Sequence, residues 1–258
     1  MTSIIPIPAF ADNYIWLLRV ESKAAVVDPG DAAPVIAHLE REGLELVAIV
    51  NTHHHGDHVG GNRALLARWP VPVFGPARET IPGVTEALAE GHSITIPEIG
   101  LALAVLDIPG HTAGHVACVG RDADGPIVFC GDTLFAGGCG RLFEGTPAQM
   151  VHSLSKLAAL PGDTRVFCGH EYTVANLRFA QAVEPGNVSL QQRRVREQAK
   201  RDRGEPTLPS TIAEERETNP FLRVDQPAVR AAAERHAGRR LDDRVAVFAE
   251  LRTWKNAF

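Results

Sequence analysis

Cysteine is scarce in this chain of 258 residues: Cys118, Cys130, Cys139 and Cys168 are the four, and no two stand in the CxxC spacing of a zinc ribbon. That excludes a disulfide-built scaffold, and the four are expected to be reduced thiols in a cytoplasmic protein. Long apolar runs are missing too, since nothing approaches the roughly 20 residues that a membrane span needs. The opening MTSIIPIPAFADNYIWLL carries no Lys or Arg ahead of its apolar stretch, and Pro6 and Pro8 interrupt it, so no signal peptide is expected. Neither sign of charge dominates. The 26 Lys plus Arg and 31 Asp plus Glu leave −5, which argues against nucleic acid as a partner and against a solvated acidic tail. With 45% apolar and 22% charged residues, the composition is that of a soluble globular protein of one large domain or slightly more.

The near-neutral total hides an asymmetry. Residues 1–190 hold 11 basic and 20 acidic side chains, a balance of −9, and ten of the eleven histidines; residues 191–258 hold 15 basic and 11 acidic, a balance of +4. Strand-length apolar runs bounded by Gly, Pro or Asp recur through the first part: 14–20, 24–28, 46–51, 101–107, 115–120, 127–130 and 165–168. Helical patterns at 32–42, 59–68 and 147–160 separate only some of them, so a mixed-sheet sandwich with helices outside fits better than strict βαβ alternation. After Tyr172 strand signals vanish, and charged helical segments follow at 174–182, 190–203, 228–236 and 244–255. The expected division is a domain of residues 1–172 and a helical C-terminal region of residues 173–258 packed against it.

The chemistry is concentrated at strand ends. Directly after the strand 46–51 comes Thr52-His53-His54-His55-Gly56-Asp57-His58, a THxHxDH pattern whose chance occurrence at this composition is roughly one in ten thousand. Imidazole and carboxylate suit zinc, iron or manganese, and a short loop can aim several of them at one point. Three further loops follow strands in the same way: Gly110-His111-Thr112, Gly131-Asp132-Thr133 and Gly169-His170-Glu171. His53, His55, Asp57, His58, His111, Asp132 and His170 together exceed the four ligands of one tetrahedral ion, which implies two ions. Asp28, in VVDPG, is either a turn former or the orienter of a ligand histidine. His115 is expected to support the His111 loop or bond backbone, and His54 to point away from its neighbours. Cys139 reads as structural. The basic cluster Arg193, Arg194, Arg196, Lys200, Arg201 and Arg203, interspersed with acids, reads as a solvated helix face.

The chain resembles the metallo-β-lactamase-fold hydrolases and, within them, the glyoxalase II family. AFADNYIWLL, VVDPGDAAPV, THHHGDHVGGN, PGHTAGHV, FCGDTLFAGGCGRLFEGT, FCGHEYT, ETNPFLR and LRTWKNAF carry the likeness over essentially the whole length. The resemblance implies an αββα metallo-β-lactamase sandwich with a helical C-terminal domain that binds substrate. It implies one metal on His53, His55 and His111, a second on Asp57, His58 and His170, and Asp132 bridging them. Two divalent ions per chain are then expected, zinc first and iron or manganese as alternatives.

The implied activity is hydrolysis of S-2-hydroxyacylglutathione, typically S-D-lactoylglutathione, to glutathione and D-lactate, the second step of methylglyoxal detoxification. Its nucleophile is a hydroxide bridging the two ions, whose water loses its proton near pH 7 rather than near 15.7. Asp132, Asp57 and His58 are the implied catalytic centre. Substrate binding falls by resemblance on Arg141, Phe143, Tyr172, Arg252 and Lys255, because glutathione carries two carboxylates for cations to meet. Some family members have Tyr at the position of Phe143 and Lys at that of Arg141. A monomer without nucleic-acid or membrane partners is expected. The alternative weighed is a glutathione persulfide dioxygenase with a single iron.

Overall fold

The computed structural model describes residues 2–258. Two six-stranded mixed sheets form a sandwich. The first is built from β1 (Ser3–Ala9), β2 (Asn13–Val20), β3 (Lys23–Val27), β4 (Glu45–Val50), β5 (Val73–Pro76) and β6 (Glu86–Leu88), in chain order. Between its strands lie α1 (Ala32–Glu42), α2 (Gly56–Val59) and α3 (Asn62–Leu66). The second contains β7 (Ser93–Ile96), β8 (Leu101–Asp107), β9 (Val116–Asp122) and β10 (Gly125–Gly131). A small hairpin of β11 (Leu134–Phe135) and β12 (Gly138–Cys139), then α4 (Pro147–Ala158), precede its strand β13 (Arg165–Cys168). The C-terminal region holds α5 (Thr173–Val183), α6 (Val188–Asp202), β14 (Ser210–Thr211), α7 (Ile212–Thr218), α8 (Pro227–Ala237) and α9 (Arg244–Ala257). The second sheet runs in the order β14-β13-β10-β9-β8-β7.

The layers follow from the two-residue period of strand side chains. In β2, Tyr14, Trp16 and Leu18 point into the core shared by the two sheets, while Ile15 and Leu17 point outward under α1 and α3. In β3, Ala25 and Val27 take the inner face and Ala24 and Val26 the outer. Both faces of the first sheet are therefore covered, which explains its continuous apolar strands. Each fully buried Leu, Ile or Phe contributes about 1.5–3 kcal/mol of transfer free energy to these layers. Helix starts are fixed by side-chain caps: Asp31 accepts from the Ala33 amide at 2.9 Å, and Thr146 and Gln149 form a reciprocal capping box at the head of α4.

Several features depart from the sequence reading, and the short strands β5, β6 and β7 and the helix α7 fall where no element was expected. The helix expected over 59–68 is two short ones, because the chain turns at Gly60 and Gly61 beneath the end of β3. The Gly61 amide donates to the Pro29 carbonyl at 2.9 Å rather than back along the helix, and a Cβ on Gly61 would lie 2.4 Å from that oxygen, so glycine alone fits there. The first residues, read only as an interrupted apolar stretch, form β1, whose Pro6 and Pro8 sit on an edge strand where missing donors are tolerated. Strands do not end at Tyr172, since β14 pairs antiparallel with β13 and extends the second sheet. Nor is the basic cluster on α6 wholly solvated. Arg193 is 2% exposed and donates to Glu215 at 2.6 Å and to the Thr218 hydroxyl at 2.7 Å. Removing one partner of such a buried pair costs about 3–5 kcal/mol.

The C-terminal helices join the same core through Phe221, Val229, Phe248 and Leu251. Among the described residues, no helix is long and apolar enough to cross a membrane.

Candidate metal centre

Parallel pairing sets where the site forms. β3 and β4 run parallel, as do β10 and β13, and β8 is antiparallel to β9, which is antiparallel to β10. The loops after β4, β8, β10 and β13 carry the expected ligands, and all of them meet at one end of the sandwich.

Two groups of side chains converge there. In the first, Nδ1 of His55 lies 3.2 Å from Nε2 of His53 and 3.0 Å from Nε2 of His111. In the second, Oδ2 of Asp57 lies 3.7 Å from Nε2 of His58 and 3.5 Å from Nε2 of His170. Asp132 stands between them. Its Oδ1 is 3.3 Å from His58 Nε2, and its Oδ2 is 3.4 Å from His111 Nε2 and 3.2 Å from His170 Nε2. All seven residues named from the sequence are thus brought together, in the two triads expected.

The outward ring nitrogens are tied down, as histidine ligands require. His111 Nδ1 donates to the Arg141 carbonyl at 2.8 Å, His58 Nδ1 meets Asp28 Oδ2 at 3.0 Å, and His170 Nδ1 meets Asp12 Oδ1 at 2.8 Å. The Thr52 hydroxyl gives its only proton to Asp28 Oδ2 at 2.7 Å, so toward His53 Nδ1, 3.1 Å away, it can only accept. That fixes the proton of His53 on Nδ1 and leaves the lone pair of Nε2 facing the cluster.

These residues fit a pair of cations. Three imidazole nitrogens within 4.8 Å of one another cannot all be satisfied by hydrogen bonds among themselves, whereas one cation satisfies them at once. His58 Nε2 and Asp132 Oδ1 are buried and find no hydrogen-bond partner. Electrostatics agree. Burial, with the neighbouring His58 and His115 rings, holds His53 well below the usual imidazole range, and burial lowers His111 and His55, so all three are neutral donors. At His58 burial pushes the same way, but the Asp132 and Asp28 carboxylates outweigh it and hold the ring well above that range. Without an ion, a proton on His58 takes the place of positive charge beside Asp132.

The cluster forms one wall of a cavity of ≈ 720 Å³. Arg141, Phe143, Tyr172, Arg252 and Lys255, the expected substrate-binding residues, all line it. The Tyr172 ring stacks on His170 at 4.7 Å and 4°. Phe143 is 63% exposed, with its ring 5.5 Å from that of His55 and 5.3 Å from that of His111. Arg252 is more deeply set than a surface cation: Nη1 donates to the Cys139 carbonyl at 2.8 Å, the guanidinium lies 5.2 Å from the Phe221 ring centroid, and Nε has no partner. Lys255 lies over Phe179, and burial, then Arg252, lowers its pKa. Cys139 is buried, and burial pushes its thiol up to about 11, so it is no nucleophile at neutral pH.

Supports that the sequence named without settling are now placed. Asp28 does both things considered for it, holding His58 while closing a turn at φ 53°. His115 follows the second alternative and bonds backbone: its Nε2 accepts from the Asp132 amide at 3.1 Å and its Nδ1 donates to the Val116 carbonyl at 3.1 Å. His54 points away from the cluster to Glu79 at 3.0 Å and Glu144 at 3.3 Å. Asp12 and Asn13 were missed as site residues. Asn13 Nδ2 donates to Asp57 Oδ2 at 3.0 Å, and Asp12 holds His170, so the turn before β2 supports the second triad. The only signal for them was their place inside the quoted AFADNYIWLL.

Residues 10–170 match the model of the metallo-beta-lactamase superfamily, and residues 171–258 that of the hydroxyacylglutathione hydrolase C-terminus. The hydroxyacylglutathione hydrolase of Alkalilimnicola ehrlichii is 63% identical over 258 residues, covering 99% of each chain. That of Cupriavidus taiwanensis is 58% identical over 266 residues, covering 100% of each. Among solved structures, ETHE1 from Myxococcus xanthus superposes with a TM-score of 0.68 at 23% identity, over 98% of this chain and 91% of that one, a likeness of fold. TTHA1623 in a di-iron-bound form gives 0.60 at 28% identity, over 84% and 100%. The paired ligand triads, the Asp132 carboxylate between them and the match along both parts of the chain converge on one assignment: this protein belongs to the metallo-β-lactamase superfamily and, within it, to the hydroxyacylglutathione hydrolases, the glyoxalase II family.

Proposed function

We propose that the protein hydrolyses thioesters of the S-2-hydroxyacylglutathione class, with S-D-lactoylglutathione as the reference substrate, to glutathione and the 2-hydroxy acid. The observation that carries this is the cavity itself, with two metal-ligand triads joined by Asp132 on one wall and Arg141, Arg252 and Lys255 on another. Zinc is the metal proposed for both triads, His53, His55 and His111 in one and Asp57, His58 and His170 in the other. When bound, such ions lower the pKa of a water and polarise the thioester carbonyl.

The chain's own residues bind and orient. Arg141, Arg252 and Lys255 offer positive charge to the two carboxylates of the glutathionyl group, while the metal end receives the acyl group. Asp57, whose carboxylate is fixed by Asn13, and Asp132, whose backbone amide is held by the His115 ring, present acceptor oxygens to the proton of an attacking water. Phe143 beside His55 and His111 supplies an apolar edge at the mouth. Here it offers no hydroxyl, so its contact with substrate is van der Waals only. The departing thiol has a pKa of about 8.5, so thiolate leaves without a dedicated acid. In this reading residues 1–172 carry the metal chemistry and residues 173–258 most of the cationic wall.

The test is turnover of S-D-lactoylglutathione by purified protein, run with metal quantification. Thioester cleavage with two equivalents of metal is expected. A single iron per chain, with oxygen uptake on glutathione persulfide and no thioester cleavage, would replace this reading with the dioxygenase.

A further inference from the structure

The ETNPFLR segment, residues 217–223, has no part in metal or substrate binding, yet its buried polar groups lead to the site. Between Asp132 and Arg141 the chain runs out through β11, turns at Ala136 and Gly137 and returns through β12. The ends of this excursion are both committed: Asp132 stands between the ligand triads, and the Arg141 carbonyl fixes the ring of His111. The hairpin is too short to hold its own position. Its two strands pair only Leu134 with Cys139 and Phe135 with Gly138.

Its tip is held from the C-terminal helices instead. Asn219 Nδ2 donates to the Gly138 carbonyl at 2.9 Å and to that of Phe135 at 3.2 Å. The Gly137 amide donates to Glu215 Oε2 at 2.8 Å, and Asn176 Nδ2 donates to the Ala136 carbonyl at 3.1 Å. Glu215 is itself fully buried and oriented by Arg193 at 2.6 Å. Gly137 adopts φ 67°, and a Cβ on Gly138 would lie 2.6 Å from the Asn176 amide group, so the tip fits its cradle only as Gly-Gly. The C-terminal helical region thus bonds one backbone group on each of the four central hairpin residues, 135–138.

We propose that Asn219 and Glu215 are positioning residues: the C-terminal helices clamp the 134–139 hairpin through them and so set the placement of Asp132 and Arg141 relative to the bound substrate. This rests on the thioesterase reading for its kinetic consequence, though not for the clamp itself. Small misplacements of reacting groups cost large factors in rate, so loosening the hairpin lowers catalysis without removing any ligand.

The test compares Asn219→Ala with Arg223→Ala. Arg223 lies in the same segment but pairs with Glu184 at 2.7 and 2.9 Å, away from the hairpin. Asn219→Ala loses buried hydrogen bonds and Arg223→Ala a partly exposed ion pair, so the melting temperature of each variant is measured beside its kinetics. Asn219→Ala is expected to speed amide hydrogen exchange across residues 134–139 and to lower kcat/KM by on the order of tenfold, with metal content unchanged. Arg223→Ala is expected to do neither. Should Asn219→Ala fail to fold, Asn219→Ser, which keeps one donor, takes its place. Unchanged exchange in the hairpin, or faster exchange with wild-type kcat/KM, overturns the proposal. If the wild-type protein cleaves no thioester, the functional reading falls, and exchange alone decides the clamp.

Discussion

Asp28 Oδ2 lies 3.0 Å from Nδ1 of His58, and the same oxygen accepts the Thr52 hydroxyl that orients His53. One buried carboxylate therefore sets a ring in each ligand triad. Asp28→Asn would turn its amide NH2 either toward both His58 Nδ1 and the Thr52 hydroxyl, which spoils the tautomers they set, or toward the Thr52 backbone N–H, now bonded to Oδ1 at 2.8 Å, which strands a buried donor. The variant is expected to bind metal about 10- to 100-fold more weakly, measured by competition with a chelator. Wild-type affinity would reduce Asp28 to its turn at φ 53°.

Asp132 is the carboxylate in contact with both triads and the one proposed to join their two ions. Asp132→Ala is expected to lower kcat on the order of a hundredfold or more and to release metal from both positions, read by turnover and by metal content together. Retention of full activity would sink the two-metal scheme.

Metal affinity should depend on pH through His58. Without an ion that ring is held protonated by Asp132 and Asp28, so binding must displace the proton. Affinity is expected to weaken as pH falls, and binding at pH 7 to release protons. Calorimetry in buffers of different ionisation enthalpy counts them, and a count of zero would contradict the charged His58.

Arg252 and Lys255 differ in what their loss should do. Both substitutions to Ala are expected to raise KM chiefly, with a smaller effect at high salt. Arg252→Ala also strands the buried Cys139 carbonyl, so it should cost about 1–3 kcal/mol of stability. The lowered pKa of Lys255 means that its charge disappears, as pH rises, before that of a free lysine near 10.4. Wild-type KM should accordingly climb on the alkaline side more than KM of Lys255→Ala, as steady-state kinetics against pH would show.

Tyr14 makes alkaline stability measurable. Burial, then Glu171, to whose Oε2 it donates at 3.1 Å, raises its pKa from 10 to about 12. The fold thus favours the protonated phenol. Its contribution is complete below pH 10 and is lost as pH rises from 10 through about 12, because the unfolded chain ionises first. Urea midpoints at pH 9 and 11 should fall further apart in the wild type than in Tyr14→Phe.

The convergence of the seven side chains was legible because metal chemistry concentrates unusual residues in short loops: four of the seven lie between His53 and His58, and the others each follow a Val-rich or Ile-rich strand. Supports were harder to see. Asp12 and His170 stand 158 positions apart, and nothing local in either loop points to the other. The split of the 59–68 helix depended on where β3 ends relative to Gly60 and Gly61, which is tertiary information. β1 was obscured because Pro6 and Pro8 look like strand breakers until the strand is known to lie at an edge. For Arg193, charge alone suggested solvent, and only the placement of Glu215 against it reverses that.

The bond between Asp12 and His170 also orders the birth of the site. Rings for the first triad are available once the chain has been synthesised as far as His111, but the second needs His170, and the hairpin beneath Asp132 is gripped only after Asn219. Domains fold as units, so neither triad is expected to hold an ion before β13 and His170 have left the ribosome.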